Sequence, residues 1–412
     1  MRSRLNSIYA GMLGGPVKDC DFLVVGAGPA GTTFAAETAE RARVVVVEEH
    51  EEIGLPVQCT GLIAPRVAQM ASAEETVLSR LRGAYFHFPG GEVLEVRSKE
   101  TKAVVVDRAS FDKICAGRAL DAGAELILGE RFVSADLSDG AMVRCKGAHR
   151  FHEYRASLIV GADGYKSNVA KCAGLGPPKD QVRGVQMDLR HRDEEQDMLN
   201  VYLGKKVAPG FFAWRIPCGD MTRVGLCATV RHETPLTYLN PLLVKLGLDG
   251  KERLRVISGL IPIGPPPRTY SAHALIIGDA AGQAKPLSGG GLYTGMVAAK
   301  CAAVTALDCL ATGDFSGLAL SAYQERWKGE IGRELDRGYL IRRSYLRLSD
   351  RKLGEVGRIL SKGDVPSILA QADIDSPSVM APQVLKAAPS LVRFAPSFLG
   401  SLFSRSNAIN DK

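Results

Sequence analysis

DFLVVGAGPAGTTFAAETAERARVVVVE, residues 21–48, is the stretch that decides the fold. Asp21 to Val25 reads as a short apolar strand, Thr32 to Ala42 as a helix with small residues along one face, and Val44 to Val47 as the next strand. Between strand and helix stands Gly26-Ala27-Gly28-Pro29-Ala30-Gly31, a G-x-G-x-x-G in the strand–turn–helix setting that gives the pattern its meaning. Gly26 permits the tight turn, Gly28 lets a pyrophosphate approach the backbone, and Gly31 lets helix and strand pack closely. Pro29 and Ala30 complete the loop that leads into the helix, whose free N–H groups and positive dipole end face the phosphates. Glu48 ends the second strand, where its carboxylate can accept hydrogen bonds from a ribose diol. The competing reading is a purely structural glycine turn followed by a surface glutamate.

Two later segments repeat the strand-into-glycine pattern. Leu158 to Val160 runs into GADG at 161–164, and Ala274 to Ile277 runs into GDAAG at 278–282, so the nucleotide unit is discontinuous. Tyr85 to Val96, with a turn at Gly90-Gly91, and Val182 to Val230, with a turn at Cys218-Gly219-Asp220, have strand-like character. They point to an antiparallel β-sheet domain inserted into the first. Pro262, Pro265, Pro266 and Pro267 stiffen the return, and from about Phe315 the pattern is helical and rich in arginine. The expected division is an N-terminal extension at 1–18, a nucleotide domain from 19–75, 105–181 and 268–314, a substrate β-sheet domain from 76–104 and 182–267, and a helical region at 315–412.

Composition narrows the partners. With 412 residues, 46% hydrophobic and 24% charged, a packed core is expected. The net charge of +7 is modest and the basic residues are interleaved with acidic ones, which disfavours nucleic acid as a partner. Nine scattered cysteines without a CxxC pair suit neither a disulfide framework nor a metal site. They are expected to be reduced and mostly buried. No uninterrupted apolar run approaches the ~18 to 20 residues that span a bilayer, and the first twenty residues lack a compact apolar stretch, so a cytoplasmic protein is expected.

The third glycine segment adds the cofactor. Asp279 can bind a ribityl hydroxyl, while backbone N–H groups near Gly289, Gly290 and Gly291 can stabilise negative charge on the N1/C2 side of a reduced flavin. The fold class expected is therefore α/β, a Rossmann-type FAD-binding domain with an inserted antiparallel β-sheet and a helical C-terminal region.

These segments, from about Asp21 to Ala303, resemble the geranylgeranyl reductase family, which includes the digeranylgeranylglycerophospholipid reductases and lies within the flavoproteins that resemble p-hydroxybenzoate hydroxylase. The resemblance implies one FAD held by GAGPAG, by Asp163 and Gly164 within GADGYKSNVAK, and by GDAAG, in that order. It also implies that Arg108, in a segment containing Asp107, Phe111-Asp112 and Gly123-Ala124, contacts FAD; a surface salt bridge is the alternative. Two segments resemble the reductase branch in particular. PVQCTG, residues 56–61, places Cys59 where the family carries a cysteine close to the flavin, and PGFFAWRIP, residues 209–217, is similar to the family's aromatic motif lining a lipid cavity, with Ile216 replacing the usual aromatic.

The same residues suit the chemistry of saturating an isolated alkene. That reaction needs a hydride on one carbon, a proton on the other and a water-poor cavity for a long apolar chain. Cys59 is the candidate proton donor or the group that positions a donating water; otherwise it is a small buried side chain. Tyr202, Phe211, Phe212 and Trp214 are candidates to contact isoprene units and to stabilise developing positive charge, against an ordinary sheet core. Two other classes share parts of the pattern. A flavin monooxygenase or halogenase shares the glycine framework, and a non-catalytic flavoprotein could carry prenyl lipid without reducing it. NADPH and a ferredoxin-type protein are the candidate electron donors, since a single Rossmann fingerprint is visible.

The C-terminal positions Leu391, Phe394, Ala395, Phe398, Leu399, Leu402 and Phe403 follow helical spacing, interrupted by Pro396. They either pack on the protein's own body or lie in the lipid interface, which would make the protein peripheral on the inner face of a membrane.

Overall fold

The computed structural model describes residues 17–229 and 233–394. The glycine turn joins the strand Lys18–Val25 to the helix Pro29–Thr38, with Gly28 as N-cap and no capping side chain. The helix starts three residues before the expected Thr32. Proline suits the first helical position, because its fixed φ is already helical and its missing N–H has no partner there. It ends at Thr38, four residues before the expected Ala42, so that the chain can turn back into the strand Val44–Val47.

An eight-stranded sheet carries all three glycine segments. Its main path runs Tyr270–Ser271, Ala274–Ile276, Phe151–Gly161, Lys18–Val25, Val44–Val47 and Glu125–Ile127, with Ala141–Lys146 added antiparallel on the long strand and Arg131–Asp136 antiparallel on Ala141–Lys146. The four central strands are parallel, and the register pairs Val25 with both Val47 and Gly161, and Gly161 with Ile276. The residues that follow these positions, Gly26, Glu48, Ala162-Asp163 and Ile277-Gly278, therefore emerge side by side at the C-terminal edge, where open α/β sheets bind ligands. The Val44–Val47 strand is buried along its whole length, as a sheet covered on both faces requires.

One face is covered by Pro29–Thr38 and by the helix Leu292–Thr312, where Ala298, Ala299, Ala302, Ala303 and Ala306 pack into the core. Among the described residues this is the one helix long and apolar enough to cross a membrane, and about half of it is buried in this core. The other face buries Phe132, Val143, Cys145 and Tyr154. Six of the nine cysteines are buried.

A second sheet has seven strands, ordered Arg253–Ile263, Asp180–Arg190, Met221–Ala228, Phe212–Cys218, Met198–Leu203, Gly83–His87 and Val93–Arg97. Its pairings are antiparallel except one: Met198–Leu203 runs parallel to Gly83–His87. The expectation of a purely antiparallel sheet is corrected at this seam, where two segments over a hundred residues apart in the chain meet without a hairpin to dictate direction. The turns at Gly90-Gly91 and Gly219 have the positive φ that glycine permits. Val77–Leu81 joins Ala103–Val106 and Leu62–Ile63 in a small third sheet.

Beyond Phe315 the chain is helical, including Gly317–Trp327, Arg333–Arg347, Asp350–Leu360, Val365–Ala370 and Ala381–Ala387. Of the apolar C-terminal positions, Leu391 and Phe394 lie in the short 3₁₀ segment Pro389–Phe394, and those from Ala395 onward lie outside the described residues.

Candidate active site

A cavity of about 1380 Å³ is lined both by the C-terminal edge of the eight-stranded sheet and by one face of the seven-stranded sheet. Single small-ligand pockets run roughly 300–1,000 Å³, so there is room for a nucleotide cofactor and part of a second molecule. Gly26, Gly28, Pro29, Ala30, Glu48, Cys59, Arg108, Asp163, Gly164, Asp279, Gly289, Gly290, Gly291, Phe211, Phe212 and Trp214 all line it; Gly31 and Tyr202 do not.

The three turn glycines differ in physical reason. A β-carbon on Gly26, whose φ is +102°, would stand 2.4 Å from the Ala162 carbonyl oxygen, and one on Gly31 would stand 2.1 Å from the Gly26 oxygen. Gly28 has nothing within 4 Å of that position. Packing dictates the outer two; at Gly28 the missing side chain leaves the backbone open to the cavity. Glu48 is pinned beside it, accepting from the Ala27 N–H at 2.8 Å and the His50 N–H at 3.0 Å.

Two aspartates face this end of the cavity with unused acceptor capacity. Asp163 Oδ2 accepts from the Asn168 N–H at 2.7 Å and the Val169 N–H at 3.2 Å, but its Oδ1 is buried without a partner. Burial raises its pKa against these hydrogen bonds. Asp279 opens only partly, toward the cavity, and burial pushes its carboxyl up to about 6, against the pull of Arg108. Buried acceptors without donors are rare in native proteins. Hydroxyl groups of a ribityl chain and a ribose are donors of the kind these atoms lack, so the residues present fit FAD.

Arg108 starts the helix Arg108–Asp121, which Asp107 caps by accepting from the Ser110 N–H at 2.8 Å. Its guanidinium binds Asp112 through Nε at 3.1 Å and Nη2 at 2.9 Å. Burial alone would lower its pKa, but Cys59 and Asp112 raise it, and the charge is retained. The Cys59 sulfur accepts from the Gly61 N–H at 3.4 Å.

The loop that carries Cys59 is anchored by a residue the sequence reading missed. Arg223, 2% exposed on the strand Met221–Ala228, donates to the carbonyls of Thr60 and Val106. It lies 3.7 Å from Asp188, which also binds Arg255 at 2.7 Å and Gln186 at 2.8 Å; Gln186 in turn accepts from the Trp214 indole N–H at 3.0 Å. A continuous polar chain thus links the Cys59 loop to the aromatic wall. An arginine amid the buried residues of MTRVGLCA was the available signal, since buried charge demands a partner.

Phe211 and Phe212 stack at 4.5 Å, and Phe212 meets Trp214 edge-on at 6.0 Å. Tyr202 must be removed from this group. Side chains alternate along a strand, so Leu199, Val201 and Leu203 face the cavity while Tyr202 faces the other side, stacked on His87 at 4.5 Å and packed among Leu239, Leu242 and Leu243. The C-terminal helices complete the wall with Ile341, Tyr345, Leu353, Val356, Leu360 and Leu369, none of which the sequence reading assigned to the site. Leu353, Val356 and Leu360 stand at i, i+3 and i+7 of one helix, a stripe that marks a buried face without saying what it faces. Two contacts hold this region to the aromatic segment: buried Arg342 donates to the Gly210 carbonyl at 2.8 Å, and the Tyr345 hydroxyl donates to the Phe211 carbonyl at 2.6 Å. Buried Lys285, beside Gly290, clamps the same region by binding Asp375 at 2.6 Å and the Ile374 carbonyl at 2.9 Å.

The class follows from comparison with known proteins: residues 19–234 match the FAD binding domain family. A solved geranylgeranyl bacteriochlorophyll reductase-like protein from Thermoplasma acidophilum has the same fold, with a TM-score of 0.83 at 23% identity, covering 94% of this chain and all of that one. A flavin-dependent brominase shares it less closely, with a TM-score of 0.69 at 15% identity over 90% of this chain and all of the other. Digeranylgeranylglycerophospholipid reductase 2 of Methanothermobacter thermautotrophicus is 30% identical over 391 residues, 90% of this chain and 98% of its own. The chain belongs to this reductase family.

Proposed function

We propose that this protein is an FAD-dependent oxidoreductase that saturates isolated C=C bonds in the geranylgeranyl chains of membrane ether lipids. The observation that carries the reading is the position of Cys59, which lines the same cavity as both the glycine-built nucleotide end and the aromatic wall. Gly26, Gly28, Pro29, Ala30, Glu48, Arg108, Asp163, Gly164, Asp279 and Gly289 to Gly291 would hold FAD, with Gly31 supporting the turn from behind. FAD, when bound and reduced, supplies a hydride. The protein's own residues supply the rest. Phe211, Phe212 and Trp214 exclude water and grip the isoprene units, and their π faces stabilise positive charge developing on a tertiary carbon. Cys59 delivers the proton to the second carbon, held in place by the Gly61 N–H and the Arg223-anchored loop.

Electrons come from NADPH or a ferredoxin-type protein, and the lipid is drawn from a membrane that the protein touches peripherally. Anaerobic turnover of a geranylgeranyl lipid with each donor in turn, read by product mass, tests the proposal. Saturated product with either donor supports it. Product that appears only in oxygen and carries an added oxygen atom points to a monooxygenase, and tight lipid binding without any product points to a carrier.

A further inference from the structure

The apolar end of the cavity has a charged rim that the reaction does not use. Leu81 and Ala103 are cross-strand partners, both buried and both lining the cavity. Their chain neighbours Arg82 and Lys102 line it too, and the Lys102 N–H bonds the Leu81 carbonyl at 2.8 Å, so the two cations flank one end of the ladder. Arg82 is paired with Asp197, Nε to Oδ2 at 2.7 Å. Lys102 has no side-chain hydrogen bond or ion pair among the described residues, although it is half-buried. Three acidic groups of this region are engaged elsewhere: Glu195 and Glu95 bind Arg97, and Asp373 binds Arg66.

We propose that Lys102, with Arg82 beside it, forms an anion subsite at the rim of the apolar lobe that takes the phosphate of a prenyl lipid headgroup. The inference rests on the reductase reading and gives its substrate an orientation. A prenyl chain in the apolar lobe must leave an anionic head at an edge of the cavity. The nucleotide end, lined by Gly26, Gly28 and Glu48, is where FAD would sit, so the lipid head must lie at another edge. The Leu81–Ala103 rim offers a spare cation with a partly desolvated stem, where a charge-assisted hydrogen bond forms at little further cost.

The test uses the FAD-loaded enzyme and two lipids with identical chains, digeranylgeranylglyceryl phosphate and digeranylgeranylglycerol, in a neutral detergent. Binding is followed by tryptophan fluorescence and reduction by product mass. The wild type should prefer the phosphate by about five- to tenfold in Kd, with the preference shrinking as salt is added. Lys102→Met should bring the ratio of the two Kd values close to one, Lys102→Glu should invert it, and Lys102→Arg should restore it. Because the ratio is read, a general loss of stability cancels. An unchanged ratio in Lys102→Met and Lys102→Glu overturns the subsite. A Lys102-dependent ratio in an enzyme that reduces neither lipid upholds the subsite and overturns the reductase reading instead.

Discussion

The two ends of the cavity are built by opposite rules. At the nucleotide end, backbone makes the site: four parallel strands stop in register, and glycines supply the turn and leave the Gly28 backbone exposed. At the apolar end, side chains make it, contributed by the seven-stranded sheet, the Cys59 loop and the C-terminal helices. A backbone-built site is written in contiguous residues, whereas a side-chain-built wall depends on which face of each element turns inward.

The largest expected effect separates the glycines within the first end. Gly31→Ala should cost about 3 kcal/mol or more of stability, because backbone must move to admit the β-carbon. Gly28→Val should leave the apoprotein folded, with a denaturation midpoint close to wild type, and weaken FAD binding by on the order of a hundredfold, measured by flavin fluorescence.

Next comes Asp279, through pH. Its carboxyl holds a proton up to about 6 in the folded chain, against an ordinary value of 3.8, so the folded state binds the proton more tightly than the unfolded state. The stability of the apoprotein should therefore fall as pH rises from about 4 to about 6, and stay lower above that, by on the order of 3 kcal/mol from this group. Asp279→Asn should remove that loss, raising apoprotein stability at pH 7.5 while weakening FAD binding. Urea melts of both proteins at pH 4 and pH 7.5 measure it, and equal differences at the two pH values would refute the assignment.

A smaller effect contrasts the two faces of the seven-stranded sheet. Trp214→Leu should raise KM for the lipid roughly tenfold with modest loss of stability, since one large aromatic contact in the cavity is removed. Tyr202→Phe should leave KM unchanged and shift stability by less than about 1 kcal/mol, since the ring stacked on His87 is kept. A KM shift for Tyr202→Phe equal to that for Trp214→Leu would break the distinction between the faces.

The same contrast explains what the sequence made legible. The glycine turn, Glu48, Asp163 and Asp279 were readable because each follows a strand directly, and parallel register then brings them together without help from side chains. Phe211, Phe212 and Trp214 were readable as a cluster but not as a wall, and Tyr202 was misassigned because aromaticity does not reveal which way a strand faces. Arg223, Lys285, Tyr345 and Leu353 act across distances of tens to more than a hundred residues, so no local pattern could attach them to the site. The parallel seam between Gly83–His87 and Met198–Leu203 escaped notice for the same reason.

The central claim is that the two ends meet at a single reaction. A single turnover tests it most directly: the protein is loaded with FAD, reduced chemically without oxygen, and mixed with a geranylgeranyl lipid, while flavin absorbance and lipid mass are followed together. The account predicts one C=C bond saturated for each flavin reoxidised, with the rate much reduced in Cys59→Ala. Flavin that stays reduced until oxygen is admitted, with lipid mass unchanged, would contradict it.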